Sequence, residues 1–206
     1  MPDSRMPAPG NFPRPSDTTL TSEAVAPSDE DLMVEVRGGS RDAFETLFGR
    51  YREPIWRFFR RRVGNVSTAE ELAQQTFVAI LEGARRYEQR GSFRSYLFGS
   101  AYNVLQSERR RSQRRAAEPL EFDPPAREPG PDTGLWVRDA LLTLDEADRE
   151  ILMLREYEQL SYQEIAEVRG TPLNTVRSQL FRARATLKTA LESTTPQAMR
   201  TNHARR

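Results

Sequence analysis

The sequence predicts an all-α protein made of two small helical domains, joined by a flexible, proline-rich acidic linker. Apolar residues recur at helical spacing through residues 29–115 and again through 135–192. Between these stretches, residues 116–134 contain five prolines and several acidic residues, a composition typical of an extended linker. Within the second stretch, two short helical patterns flank Gly170, which predicts a helix-turn-helix.

The composition narrows the possible classes of protein. The chain has 206 residues and a net charge of +1, with 31 basic residues against 30 acidic ones. It contains no cysteine, which excludes disulfides and cysteine zinc sites, and its single histidine, His203, lies in a polar tail. We find neither an export signal nor an apolar run long enough to cross a bilayer. We therefore expect a cytoplasmic protein with no membrane insertion, no cofactor and no bound metal.

The two ends of the chain differ from the helical stretches. Residues 1–28 contain six prolines with Ser, Thr and Asp and few large apolar side chains. Such a segment cannot bury enough apolar surface to offset the entropy lost on folding. We predict that this N-terminal extension is disordered, and we predict the same for the polar tail over residues 193–206.

The first domain begins at Ser28. Its first helix ends at Gly38, and Ser40 caps the second helix. We expect Pro54 to break that second helix or to begin a new one. Its predicted core residues recur at helical spacing, and they are Leu32, Met33, Val36, Ala43, Phe44, Leu47, Phe48, Tyr51, Ile55, Trp56, Phe58, Phe59 and Val63.

Two more helices complete the first domain. Thr68 and Glu71 have the spacing of a capping box at the start of the third helix. The third helix is expected to bury Leu72, Phe77, Ile80 and Leu81. A last helix begins near Phe93 and continues into a cluster of five arginines between residues 109 and 115. Aromatic rings beside arginines can stack on bases and bind phosphates, although most rings at helical spacing belong to a core.

The second domain contains the most informative stretch. One helix is expected to start near Asp145, and Ser161 forms a capping box with Glu164 in the next. Gly170 permits the turn, with Thr171 as N-cap and Pro172 as first residue of the last helix. Residues 171–188 include arginines and a lysine but no acidic residue. This imbalance favours a DNA-binding helix over the ordinary alternative, a helical hairpin with a solvated basic face.

Long motifs in both domains resemble one family. Residues 141–187 read LLTLDEADREILMLREYEQLSYQEIAEVRGTPLNTVRSQLFRARATL, which resembles region four of the extracytoplasmic-function sigma factors of bacteria. Two segments of the first domain, AEELAQQTFVAILEGARRY and GSFRSYLFGSAYNVLQSERRR, are similar to region two. The resemblance covers residues 29–115 and 135–192. Three positions depart from the family pattern. The family usually has Trp at the position of Tyr96 and Asp at the position of Ser107, and it often has an acidic residue at the position of Gln75.

The resemblance implies a sigma factor that binds core RNA polymerase and directs promoter-specific transcription initiation, in a stress or envelope response. Its partners would be core polymerase, promoter DNA and an anti-sigma factor. It would contact the polymerase at the β′ clamp helices and the β flap. The implied polymerase contacts are Glu70, Glu71, Gln74, Gln75, Phe77 and Val78. No residue is implied to be catalytic.

The resemblance also implies two sets of DNA contacts. Single-stranded DNA of the minus-ten element, with a flipped base, would bind Arg85, Arg86, Tyr87, Arg90, Ser92, Phe93, Arg94, Tyr96, Asn103, Arg110 and Arg111. The minus-thirty-five element would bind Thr171, Pro172, Asn174, Thr175, Arg177, Ser178, Phe181, Arg182 and Arg184. The acidic linker would thread the polymerase near the RNA exit path, either as an RNA mimic or as a plain spacer.

Two other classes of protein share parts of this pattern. A helix-turn-helix regulator could bind DNA without polymerase, but it would need a sensor domain or a dimer interface. An enzyme acting on nucleic acid would need clustered carboxylates or a nucleophile with a base. Here the acids fall at helix starts and in the linker, which argues against such an enzyme. Because of the linker, we also expect the two domains to be tethered without a shared core.

Overall fold

The computed structural model describes residues 26–89, 91–115 and 133–194. In this part of the chain the secondary structure is entirely helical. The helices are α1 (Asp29–Arg37), α2 (Arg41–Arg60), α3 (Val66–Gly83), a short 3₁₀-helix (Ala84–Arg86), α4 (Phe93–Arg115), α5 (Thr133–Leu142), α6 (Glu146–Glu156), α7 (Tyr162–Arg169) and α8 (Leu173–Thr194). Most of the predicted N-terminal extension, the acidic linker and the tail with His203 lie outside the described residues, as does Arg90.

The first four helices pack around an aromatic and aliphatic core. Ser40 caps α2 as predicted, and Ser28, where the first domain was predicted to begin, caps α1; each accepts a hydrogen bond from a backbone N–H three residues later. Pro54, however, does not break α2, which continues through it to Arg60. The carbonyl that Pro54 leaves without its helical donor belongs to Arg50, an exposed residue, so water can satisfy it. Burial of Leu47, Ile55, Phe58 and Phe59 on both sides of the proline offsets the remaining cost.

The predicted capping box at Thr68 and Glu71 is wrong. Helix α3 starts earlier, because the side chain of Asn65 caps it by accepting a hydrogen bond from the Ser67 N–H at 2.8 Å. Glu71 instead accepts a hydrogen bond from Gln75 Nε2 on the next turn. Two predicted core residues are also misplaced, since Phe48 is 40% exposed and Leu81 is 47% exposed.

The second half of the chain consists of α5–α8. Asp145 caps α6 by accepting a hydrogen bond from Asp148 N–H. Both bonds of the Ser161–Glu164 capping box are present, at 3.2 and 2.8 Å. Gly170 has φ 60° and ψ 37°, the left-handed conformation that the turn between α7 and α8 requires. These features confirm the predicted helix-turn-helix.

The predicted cap of the last helix needs correction. The backbone carbonyl of Pro172 accepts the first helical hydrogen bond, from the Val176 N–H, so Pro172 holds the N-cap position. The Thr171 hydroxyl is buried and has no hydrogen-bond partner within the described residues. A prolyl residue at the junction already fixes the backbone angle, so the helix begins without a side-chain cap.

The two halves do not stay apart. Helix α4 packs along α7, and a single buried cluster continues from the first half into the second. At the junction, Arg62 bonds Glu150 at 2.8 Å and Glu158 at 2.9 Å, and all three side chains are buried. The expectation of two halves without a shared core is therefore wrong for this structure. The composition of the linker predicts the conformation of the linker alone. It carries no information about this contact, in which Arg62 pairs with residues 88 and 96 positions further along the chain.

Candidate nucleic-acid and polymerase interfaces

Helix α8 has a clear division between its buried and exposed faces. Val176, Leu180 and Ala183 are fully buried against α6 and α7. The opposite face carries Asn174, Arg177, Ser178 and Arg182, all exposed, and Phe181, whose ring is 76% exposed. A large exposed ring beside exposed arginines has no structural function within the described residues. This face presents the shape, charge and apolar contact that a helix needs in a DNA major groove.

The arginines of α8 are not equivalent. Arg177 Nη1 donates to Asn174 Oδ1 at 3.2 Å, so its guanidinium stays on the outward face. Arg184 points back towards the body of the domain, where it donates to Glu156 at 2.8 Å and to the Tyr162 hydroxyl at 3.0 Å. The hydrogen bond to Glu156 also raises the pKa of Arg184. Of the predicted contacts in this helix, Arg177 and Arg182 are therefore free to meet DNA, whereas Arg184 is engaged elsewhere.

A cleft of about 380 Å³ lies beside the N-terminal half of α4. Among the predicted minus-ten residues, Tyr87, Ser92, Tyr96 and Asn103 line it. The rings of Tyr87 and Tyr96 lie 5.0 Å apart, and burial raises the pKa of both phenols, so both remain neutral donors. A cleft with one half-buried ring and several hydroxyl and amide groups has the chemistry that a flipped base requires.

Other predicted minus-ten residues lie around this cleft or away from it. Phe93 is 1% exposed, with its ring packed edge-on against Tyr51 at 5.6 Å, so it belongs to the core. Arg94 does not face solvent freely, because it donates to the backbone carbonyl of Glu158 in the second half. Exposed positions that remain available are Arg85, Arg86, Asn103, Arg110 and Arg111.

The predicted polymerase contacts lie on α3. Glu70, Glu71, Gln74, Gln75 and Val78 are all exposed, whereas Phe77 is only 6% exposed. The ring of Phe77 lies under that of Phe48, with centroids 4.8 Å apart.

Two further exposed apolar residues lie near these predicted contacts, and the sequence analysis assigned them to the core. Phe48 and Leu81 expose apolar area, as Val78 does. Their helical spacing matches that of core residues, so the sequence carried no signal that separated them. Only the packing of α2 on α3 reveals an apolar patch, which we define as Phe48, Val78 and Leu81.

Comparison with known proteins gives the family. Residues 47–115 match the family model "Sigma-70 region 2", and residues 134–187 match "Sigma-70, region 4". The chain is 33% identical over 161 residues to the RNA polymerase sigma factor YlaC of Bacillus subtilis, an alignment covering 72% of this chain and 91% of YlaC. The chain belongs to the sigma-70 family of RNA polymerase sigma factors.

Other relatives specify the group. The ECF RNA polymerase sigma factor SigE of Mycolicibacterium smegmatis is 32% identical over 182 residues, covering 81% of this chain and 70% of that protein. The extracytoplasmic-function assignment is thereby confirmed, and the alternative of a regulator that acts without polymerase is not supported. Sigma factors are transcription initiation factors by family.

Solved structures support the fold. CnrH in complex with the cytosolic domain of CnrY matches with a TM-score of 0.61 at 23% identity, over 80% of this chain and 97% of that one. The sigma factor RpoE in complex with the anti-sigma factor NepR, from Bartonella quintana, matches with a TM-score of 0.60 at 22% identity. The match covers 72% of this chain and 96% of that one. In the described part of this sigma factor, no helix is both long and apolar enough to cross a membrane.

Proposed function

We propose that this sigma factor contacts core RNA polymerase through α3 and reads a bipartite promoter with its two halves. The observation that carries the proposal is the presence of region 2 and region 4 matches, in that order, in one chain. Bound to polymerase, the two halves would be held at a fixed separation, so that they contact two separate DNA elements at the same time. In this proposal region 2 spans residues 29–115 and region 4 spans residues 135–192.

The polymerase contact is proposed for the exposed face of α3 and the apolar patch of Phe48, Val78 and Leu81. Large exposed apolar side chains surrounded by Glu and Gln are typical of a binding surface, with an apolar centre and a polar rim. Glu70, Glu71, Gln74 and Gln75 form that rim. Phe77 contributes from below by supporting the ring of Phe48.

The minus-ten contact is proposed for the cleft beside α4. Tyr96 would stack on an unpaired base, and Ser92 and Asn103 would bond its edge. Exposed arginines precede and follow the cleft residues along the chain, with Arg85 and Arg86 before α4 and Arg110 and Arg111 near its end. Their charge suits the phosphates on either side of a flipped base.

The minus-thirty-five contact is proposed for the outward face of α8. Arg177 and Asn174 lie in its first turns, from which side chains reach base edges in helix-turn-helix proteins. Phe181 would contact an apolar group such as a thymine methyl, and Arg182 a phosphate. Arg184 would instead hold α8 against α6 and α7.

Further properties complete the proposal. The protein would have no catalytic activity of its own, would act in the cytoplasm, and would serve a stress or envelope response. An anti-sigma factor is a fitting partner, because the matched RpoE structure contains one.

Promoter binding with and without core polymerase tests the proposal. Labelled genomic fragments are mixed with the purified protein, with core enzyme, or with both. We expect retention of specific fragments only when both proteins are present. Equal retention by the protein alone would contradict the proposal and would restore the polymerase-independent regulator.

A further inference from the structure

Helix α4 begins at the edge of the cleft proposed for the minus-ten element. Ser92 precedes the helix and caps it, because its hydroxyl accepts a hydrogen bond from the Ser95 N–H at 3.1 Å. The backbone carbonyl of Ser92 accepts the first helical hydrogen bond, from the Tyr96 N–H. Ser92, Ser95 and Tyr96 all line the cleft, so the position of this first turn determines the shape of the cleft wall.

A second acceptor at this helix start comes from another helix. The first N–H groups of a helix have no partner within that helix, and the first turn of α4 contains no acidic residue. Glu30 of α1 supplies the missing acceptor, since its Oε1 accepts a hydrogen bond from the Phe93 N–H at 2.9 Å. A carboxylate at this end of a helix also interacts favourably with the helix dipole, and a charged acceptor bonds more strongly than a neutral one.

The neighbouring acidic residue supports Phe93 from its side chain. Asp29 accepts hydrogen bonds from the Tyr51 hydroxyl and from Arg50 Nη1. The Tyr51 ring in turn lies edge-on against the Phe93 ring, with centroids 5.6 Å apart. The first two residues of α1 thus determine where Phe93 lies, Glu30 through its backbone and Asp29 through its ring.

Helix α1 also contacts the chain on the far side of the cleft segment. Arg37, the last residue of α1, donates a long hydrogen bond of 3.5 Å from Nη1 to the backbone carbonyl of Tyr87. Tyr87 lines the cleft, and α1 packs on the short 3₁₀-helix that precedes it. Because Glu30 and Arg37 lie two turns apart on one helix, α1 holds both Tyr87 and Phe93 in place.

We infer that Glu30 is a positioning residue for the minus-ten cleft, which holds the first turn of α4 where Ser92 and Tyr96 can contact an unpaired base. Glu30 is not among the residues that line the cleft, so it would act through α4 and not by touching DNA. The consequence for DNA rests on the minus-ten site proposed above. The contact between Glu30 and α4 can be measured without DNA.

Hydrogen exchange in the full chain tests the contact itself. In Glu30→Ala the Phe93 amide loses its acceptor and should exchange about tenfold faster or more. Glu30→Gln retains a side-chain carbonyl oxygen, so its Phe93 amide should exchange at nearly the unsubstituted rate. Glu35→Ala, at an exposed position of the same helix, should leave the rate unchanged. Equal exchange of the Phe93 amide in Glu30→Ala and the unsubstituted chain would overturn the inference.

Base recognition tests what the contact does. Holoenzyme assembled from core polymerase and each variant is titrated with single-stranded oligonucleotides of the minus-ten element that differ at one base. Glu30→Ala should lower the affinity for the preferred oligonucleotide about tenfold, within the range for loss of one stacked base. It should also reduce the preference among bases, because Ser92 and Tyr96 no longer have fixed positions. Glu30→Gln should retain both the affinity and the preference.

Ser40→Ala is the control for stability. Ser40 caps α2 in the same half of the chain, where it accepts a hydrogen bond from the Ala43 N–H at 3.2 Å, and it does not line the cleft. Its substitution should lower the free energy of unfolding as Glu30→Ala does, yet leave oligonucleotide affinity and base preference unchanged. The affinity for core polymerase should be the same in all variants. A parallel loss of base preference in Ser40→Ala would show that Glu30 acts through stability alone, which would overturn its positioning role.

The exchange and binding results distinguish failure of this role from failure of the proposed function. If the unsubstituted holoenzyme shows no preference among the oligonucleotides, the proposed minus-ten site fails, and the role of Glu30 in base recognition fails with it. If the unsubstituted holoenzyme discriminates among the bases and Glu30→Ala discriminates equally well, the minus-ten site stands and the positioning role of Glu30 is overturned.

Discussion

Arg177 and Arg182 allow base reading to be separated from phosphate binding on one helix. In the structure Arg177 makes one exposed hydrogen bond, to Asn174, so releasing it for DNA costs little. A bidentate contact from Arg177 to a base discriminates by about 1–3 kcal/mol, or roughly 5- to 150-fold. Arg182→Ala should instead weaken binding to all sequences alike and reduce the slope of log affinity against log salt by about one unit.

The assay uses holoenzyme assembled from core polymerase and each variant. Affinity is measured for a promoter and for all single-base changes in its minus-thirty-five element, at several salt concentrations. Arg177→Ala should flatten the preference at one base pair and leave the others intact. A uniform loss across the whole panel for Arg177→Ala would refute its base-reading role, and unchanged binding for both variants would refute the proposed face of α8.

Three further predictions concern stability, polymerase binding and pH. Ser161→Ala removes the hydroxyl of a complete capping box, and chemical denaturation should show that the free energy of unfolding falls by about 1 kcal/mol. The control Ser67→Ala, at the second residue of α3, should lower the free energy of unfolding by less. Val78→Asp and Leu81→Asp should lower the affinity for core polymerase at least tenfold without lowering the melting temperature. Val34→Asp on α1, at a similarly exposed position, should leave that affinity unchanged. An equal loss of affinity for all three variants would contradict the apolar patch. Burial opposes ionisation of Glu164, but hydrogen bonds from Ser161 and Ser92 outweigh it and lower its pKa below 4.5. Its stabilising contribution is therefore present above pH 4.5 and lost as pH falls through the lower folded value; unfolding measured against pH should show this loss in the native chain and not in Glu164→Gln.

Local signals predicted most of the fold. The predicted caps at Ser40 and Ser161, the predicted helix starts at Ser28 and Asp145, and the glycine turn at Gly170 depend on neighbours within four residues, and each is present. Pro54 shows where a local rule fails, because burial on both sides of it outweighs the proline penalty. Asn65 shows how an earlier cap displaces a later one, since asparagine is a stronger N-cap than the threonine at Thr68.

Features that depend on distant residues could not be predicted. Phe48 and Phe58 have similar helical spacing, yet one is 40% exposed and the other is fully buried. The difference arises from where α3 and α4 cover α2. Likewise nothing near Arg62 in the sequence indicates that its partners are Glu150 and Glu158. The DNA and polymerase contacts named from the family resemblance remain predictions, and the geometry argues against Phe93 and Arg184 among them.

Run-off transcription tests the central claim most directly. Core polymerase, the purified chain and fragments of its own genome are combined, and the 5′ ends of the transcripts are mapped. We predict discrete start sites that require the chain and share two sequence elements upstream, near positions minus ten and minus thirty-five. Transcripts that do not depend on the chain, or the absence of any discrete start over many fragments, would contradict the account.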